Sequence, residues 1–126
     1  MNLNWQKATD EGDYEQICSL LEKGEDINSL DRYGQSALMN AAHRGDARTV
    51  KLLVEQGANL DITAKYNLSA LMLAVITGHS DIVRILVNAG ASTEIKGNGA
   101  EFDCTPVEYA RKHGKNEIVY ILANEG

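Results

Sequence analysis

Positive charge is scarce in this sequence. Lys and Arg total 12 against 18 Asp and Glu, a formal net charge of −6 with a pI near 5.0. A protein that grips nucleic acid or an anionic membrane needs clustered cations to displace counterions, so neither partner is expected. Cysteine is nearly absent: Cys18 and Cys104 cannot build a disulfide framework. Aromatics reach only 6%, and Pro106 is the single proline. No apolar run approaches the roughly 18 residues that would suggest a membrane span. The opening residues 1–7 lack the basic and apolar regions of a signal peptide. What is present is ordinary for a folded chain, 44% hydrophobic and 24% charged residues in 126, enough for one compact domain or one short array. A cytoplasmic, soluble protein without cofactor is the expectation.

Internal repetition decides the architecture. A shift of 33 positions superposes Ala8, Ala41 and Ala74, then Gly12, Gly45 and Gly78, then Leu20, Leu53 and Leu86, then Gly24, Gly57 and Gly90. A fourth copy continues at Ala110, Gly114, Leu122 and Gly126 with a spacing of 36. Three extra residues therefore fall in the stretch Gly97-Asn98-Gly99-Ala100-Glu101-Phe102. The chain reads as a single array over 1–126, with repeats near 1–30, 31–63, 64–96 and 97–126.

Each unit predicts two short helices and a turn. Ser36 can N-cap a helix that runs through Ala41 and breaks at Gly45, and Asp46 can cap a second with Val50, Leu53 and Val54 at helical spacing. Gly57 then ends that helix in a left-handed conformation. Ser69, Gly78, Val83, Leu86, Val87 and Gly90 repeat the scheme, and Pro106 follows Thr105 at a first helical position, where its missing N–H costs nothing. A helix pair of this size cannot bury its apolar face alone, so stacked copies must do it for one another. Small Ala41, Ala74 and Ala110 let the layers approach. The fold class is an all-α solenoid of helix-turn-helix pairs.

This pattern resembles the ankyrin repeat, whose consensus runs Asp-x-x-Gly-x-Thr-Pro-Leu-His-x-Ala-Ala-x-x-Gly-His and ends in Leu-Leu-x-x-Gly-Ala. The second copy reads Asp31-Arg32-Tyr33-Gly34-Gln35-Ser36-Ala37-Leu38-Met39-Asn40-Ala41-Ala42-His43-Arg44-Gly45, and the third closes with Leu86-Val87-Asn88-Ala89-Gly90-Ala91. The histidine tetrad is replaced by Ser-Ala-Leu-Met twice and by Thr105-Pro106-Val107-Glu108 once, a variant that resembles those frequent in bacterial ankyrin proteins. The resemblance implies that Met39 and Met72 pack where the family's histidine would bond neighbouring repeats. Asn67 and Asp103 stand in the turn-glycine column, and both residue types enter the left-handed region more easily than most.

Terminal repeats need polar outer faces. The first thirty residues hold seven acids against Lys7 and Lys23, which is five of the six net negative charges. At the other end Glu108 replaces the methionines, and Arg111 replaces Ala42 and Val75. Both ends are expected to be caps and the chain complete. Ile118 and Ile121 are expected to pack inward; exposed, they would form a weak self-association face, and otherwise the chain is a monomer.

No catalytic constellation emerges. His43 and His113, two repeats apart, should stand about 20 Å from each other, too far for a shared metal. Cys18 and Cys104 lie about three layers apart, which rules out a bond within one chain. No carboxylate pair, nucleophile motif or phosphate loop occurs. His79 fills the family's Gly-His position, where the imidazole bonds loop backbone. The expectation is therefore a non-catalytic protein-interaction module without metal, with an unidentified protein as partner. The alternatives are an inhibitor or immunity-type protein that occludes a partner enzyme, and a self-associating structural protein.

In the ankyrin family partners usually bind the concave side formed by turn tips and first helices. Mapped onto this sequence, the tip positions are Arg32, Tyr33 and Gln35, then Lys65, Tyr66 and Leu68, then Glu101, Phe102 and Cys104. First-helix positions are His43 and Arg44, Ile76 and Thr77, Lys112 and His113. Tyr33, Tyr66 and Phe102 share one column and predict a ladder of three aromatics, either binding anchors or braces between adjacent turns. Leu68 and Ile76 are expected to form an exposed apolar patch, flanked by Arg32, Arg44, Lys65 and Lys112.

Overall fold

A computed structural model describes residues 1–125, with Ala100 described by its backbone alone; Gly126, the last member of the glycine series, lies outside the described residues. The described residues form eight α-helices: α1 (Leu3–Glu11), α2 (Tyr14–Glu22), α3 (Ala37–Arg44), α4 (Ala47–Glu55), α5 (Ala70–Thr77), α6 (Ser80–Asn88), α7 (Pro106–Lys112) and α8 (Asn116–Asn124). There is no strand among them. Leu30 pairs with Ser36, and Thr63 with Ser69, in isolated antiparallel bridges that close two finger-like turns.

Local chemistry starts most of these helices. Ser36 and Ser69 accept the backbone N–H groups of Met39 and Met72, each at 3.2 Å, and so cap α3 and α5. Asp13 and Asp46 cap α2 and α4. Thr105 and Glu108 form a reciprocal capping box on α7, with Pro106 at its start. The first helices of the second and third pairs stop at Gly45 and Gly78, both left-handed.

The pairs stack in register. First helices pack in the row α1, α3, α5, α7, and behind them α4 packs on α6 and α6 on α8. The alanine column lies at the centre of this contact, with Ala41, Ala74 and Ala110 fully buried. Met39 and Met72 are buried as the resemblance implied, alongside Trp5, Leu38, Leu71, Leu53 and Leu86. Each such side chain contributes roughly 1.5–3 kcal/mol by leaving water. Ile118 and Ile121 are buried too, so neither offers an apolar face to a second copy. Glu108 and Arg111 are exposed at the positions where internal pairs bury methionine, alanine or valine.

Side-chain-to-backbone bonds tie neighbouring turns at a repeating spacing. Asn28 Oδ1 accepts the N–H of Asn59 at 2.8 Å, and Asp61 Oδ1 accepts the N–H of Ser92 at 2.9 Å. Gly45 shows how tightly layers meet: a Cβ there would lie 2.7 Å from the His79 ring of the next pair. His79 therefore packs its ring on the preceding repeat, where an imidazole bonded to loop backbone was expected.

Candidate functional site

The second finger is organised by one carboxylate. Asp31 accepts from the N–H of Tyr33 at 2.8 Å, the N–H of Gln35 at 3.0 Å and the side-chain amide of Asn40 at 3.1 Å. Burial acts to raise its pKa, but the bonds from Gln35, Asn40 and Tyr33 outweigh it and hold the carboxyl below its ordinary value. Above this anchor the tip is open. Tyr33 is 67% exposed, and Arg32 lies over its own neighbour's ring at 4.9 Å and donates to its hydroxyl at 2.8 Å.

The next two fingers are built differently. In the third, a short 3-10 turn (Lys65–Asn67) carries both Tyr66, φ 61°, and Asn67, φ 56°, in the left-handed region. Asn67 does what its column requires; Tyr66 adopts a conformation costly for a bulky residue. Its neighbours fix it there. The N–H of Asn98 donates to the Tyr66 carbonyl at 2.8 Å, and the Asn67 amide donates to the Lys96 carbonyl at 2.9 Å. In the fourth finger the three-residue insertion forms another 3-10 turn (Ala100–Phe102), closed by a bond from the Gly97 N–H to the Cys104 carbonyl at 3.1 Å. The insertion moves the left-handed residue to Gly99, so Asp103, with φ −78°, does not take the expected glycine-like conformation.

The aromatic ladder is correspondingly altered. Tyr66 and Phe102 are neighbours at 5.5 Å, but the run continues inward to Tyr109 at 6.4 Å and His113 at 4.1 Å. Among the described residues Tyr33 joins no ring. Tyr109 on α7 and His113 at its C-cap lie four apart and so face the same side, a spacing already legible in the sequence. Phe102 is half-buried against the core, while Tyr66 stays 43% exposed with Lys65 above its ring at 5.1 Å.

Two further expectations are corrected. Leu68 is 8% exposed, not part of an open patch, because the fourth finger folds over it: its Cδ2 would stand 3.2 Å from a Cβ on Gly97. Arg44 does not flank the surface as a free cation. Its guanidinium donates to the Thr9 carbonyl and to Asp46 at 3.0 Å, and lies 3.8 Å from Asp10, so it ties α1 to the start of α4. Burial acts to raise the pKa of Asp46, yet the Thr49 hydroxyl and N–H, with Arg44, bring it below the usual range. Ile76 is half-buried, and the Thr77 hydroxyl turns back onto the Leu73 carbonyl at 2.7 Å. His43, Lys65, Glu101, Lys112 and His113 are exposed, and Gln35 is half-buried.

Chemical reactivity finds little support in these environments. Burial and then the Glu108 carboxylate push the Cys104 thiol up, which disfavours a thiolate nucleophile. Burial likewise raises the Tyr109 phenol, with Glu101 adding to it. Among the described residues no group of three or more His, Cys, Asp or Glu is placed to hold a metal, and no helix is long and apolar enough to cross a membrane.

No curated protein matches the chain. The family model described as ankyrin repeats, in three copies, matches residues 5–97, which reaches from α1 to the start of the fourth finger. Ankyrin repeats are generally protein-interaction modules and typically non-catalytic. With the match covering most of its length and the helix pairs stacked in the register of that match, the chain belongs to the ankyrin repeat family.

Proposed function

We propose that this chain is a non-catalytic module whose protein partner lies across the finger tips and first helices. The observation that carries the reading is a contrast between columns. Scaffold positions repeat their residue and are buried, as in Ser36 and Ser69, Leu38 and Leu71, Met39 and Met72, Ala41 and Ala74. Tip and first-helix positions change identity and stay at least partly accessible, as in His43, Ile76 and Lys112, or Arg32, Lys65 and Glu101. A surface that varies while its support is held constant is free to specify a partner. Within it the contributors are Arg32, Tyr33, Gln35, His43, Lys65, Tyr66, Ile76, Glu101, Phe102, Lys112 and His113. The large rings supply apolar contact, and the cations Arg32, Lys65 and Lys112 favour a partner with some negative charge nearby.

Capture by the immobilised chain from a lysate of its source, with the Tyr33→Ala and Lys112→Glu variants in parallel, tests this. The captured protein is expected to bind Tyr33→Ala about 30-fold more weakly, the equivalent of about 2 kcal/mol, with an unchanged unfolding midpoint. A partner indifferent to both substitutions sinks the surface assignment.

A further inference from the structure

We propose that Asn98 is a self-modification site, whose conversion to isoaspartate releases the fourth finger from the third. The chemistry needs only the chain and water, so it stands independently of the partner-binding reading.

The backbone nitrogen of Gly99 attacks the side-chain amide carbon of Asn98 and forms a new C–N bond. The bond from that carbon to the amide nitrogen breaks, and ammonia leaves with the proton that the Gly99 nitrogen gives up. Water then adds to one carbonyl of the cyclic imide and splits its C–N bond. Opening at the main-chain carbonyl leaves isoaspartate, with the chain routed through the former side chain; opening at the other leaves aspartate. Nothing is oxidised or reduced. Because the attacking nitrogen must shed its proton, the rate rises with pH.

Sequence and structure both select Asn98. It alone among the asparagines precedes glycine, and a following residue without a side chain leaves its amide nitrogen open to approach. Both residues are exposed. Among the described residues neither the Asn98 side-chain amide nor the Gly99 N–H has a hydrogen-bond partner. Asn28, which precedes Ser29, provides the contrast. Its Oδ1 accepts the N–H of Asn59 at 2.8 Å, and the N–H of Ser29 donates to the Asp26 carbonyl at 3.1 Å. Hydrogen bonds occupy at Asn28 the two groups that are free at Asn98.

Asn98 also sits at the joint between the fingers. Its own N–H donates to the Tyr66 carbonyl at 2.8 Å, and the preceding Gly97 N–H donates to the Cys104 carbonyl at 3.1 Å. On its other side Gly99 is left-handed, with φ 82°, and a Cβ there would stand 3.2 Å from the Tyr66 ring. The Phe102 N–H then closes the turn on the Gly99 carbonyl at 2.8 Å. Isoaspartate adds one atom to the main chain between these anchor points. The finger has no slack to absorb it, since a Cβ on Gly97 would already lie 2.3 Å from the Phe102 carbonyl oxygen. Displacing the Asn98 N–H also frees Tyr66 from its costly left-handed conformation, which favours the opened finger. Leu68, covered by that finger, then becomes accessible.

The test holds the full native chain at mildly alkaline pH and follows it by peptide mapping and isoaspartate-specific enzymatic methylation. Asn98 should convert about 10-fold faster than Asn28, where hydrogen bonds must first be broken, and faster still as pH rises. Asn98→Gln would need a larger ring, so it should melt like the parent and keep its amide over the same period. In the converted chain, hydrogen exchange at the N–H groups of residues 97 and 98 should quicken several-fold, with α3 unchanged. Asn98→Asp carries the new charge without the added atom and should exchange like the parent. An Asn98 that stays intact in the native chain but converts in urea overturns the site, as does conversion no faster than at Asn28. Conversion that leaves the N–H groups of residues 97 and 98 as protected as before overturns the release of the finger. Loosening of Asn98→Asp as large as that of the converted chain overturns the lengthened backbone as its cause.

Discussion

The second finger and the third–fourth finger pair are copies of one design that spend their aromatic residues differently. In the second, Asp31 satisfies the turn from within, and Tyr33 is left over, capped only by its neighbour Arg32. In the third and fourth, Tyr66, Phe102, Tyr109 and His113 form a continuous run, and the backbones of the two fingers bond directly. The three-residue insertion accounts for the difference. A longer fourth finger reaches back over Leu68 and needs a ring beneath it, so Tyr66 is held in a left-handed conformation with the Gly99 backbone lying close against its ring. A ring that braces its own scaffold cannot turn freely to a partner; a ring without such duties can.

The comparison breaks most directly at glycine. Gly97→Ala would place a Cβ 2.3 Å from the Phe102 carbonyl oxygen, forcing the backbone of the fourth finger to move, and should cost about 3 kcal/mol in chemical denaturation. Gly34→Ala meets nothing within 4 Å and should cost only the left-handed penalty of roughly 1–2 kcal/mol. Equal costs would mean that the two fingers are equally loose.

Rings sharpen it next. Phe102→Ala should lower stability by about 2 kcal/mol, since it removes a half-buried side chain and its ring contacts on both sides. Tyr33→Ala should stay within about 0.5 kcal/mol. Hydrogen exchange across 97–104 should quicken for the first variant alone.

A smaller, pH-dependent effect is expected in the second repeat, where Asp31 and Asp46 both titrate below their ordinary value. A carboxylate with a depressed folded pKa contributes stability above its unfolded pKa and loses it as pH falls through the folded one. Below about pH 4, exchange protection at the N–H groups of Tyr33, Gln35 and Thr49 should therefore fall before protection in α5 and α6 does. Asp46→Asn should flatten the acid limb of the stability curve, with the unfolding midpoint read between pH 2 and 6. A midpoint as steep in acid for Asp46→Asn as for the parent would remove Asp46 from that account.

Much of this was readable from periodicity. The 33-residue register predicts which alanines, leucines and glycines meet, and Ser36, Ser69, Thr105 and Asp46 cap the helices they precede. The inward packing of Ile118 and Ile121 also follows from their spacing. Column arithmetic failed where the copies differ in length or where a long side chain has a choice. Leu68, Asp103 and Arg44 were each assigned the role of their column. The insertion covered the first and shifted the turn away from the second, and a carbonyl and two carboxylates from neighbouring elements captured the third.

Stacking was thus encoded locally: caps, helix-stopping glycines and an alanine seam act over a few residues, and repetition copies them into register. Which aromatic side chains brace the scaffold and which remain available was decided between fingers far apart in sequence. That outcome depends on distances of a few ångströms between turns, set by three inserted residues whose effect no single repeat contains.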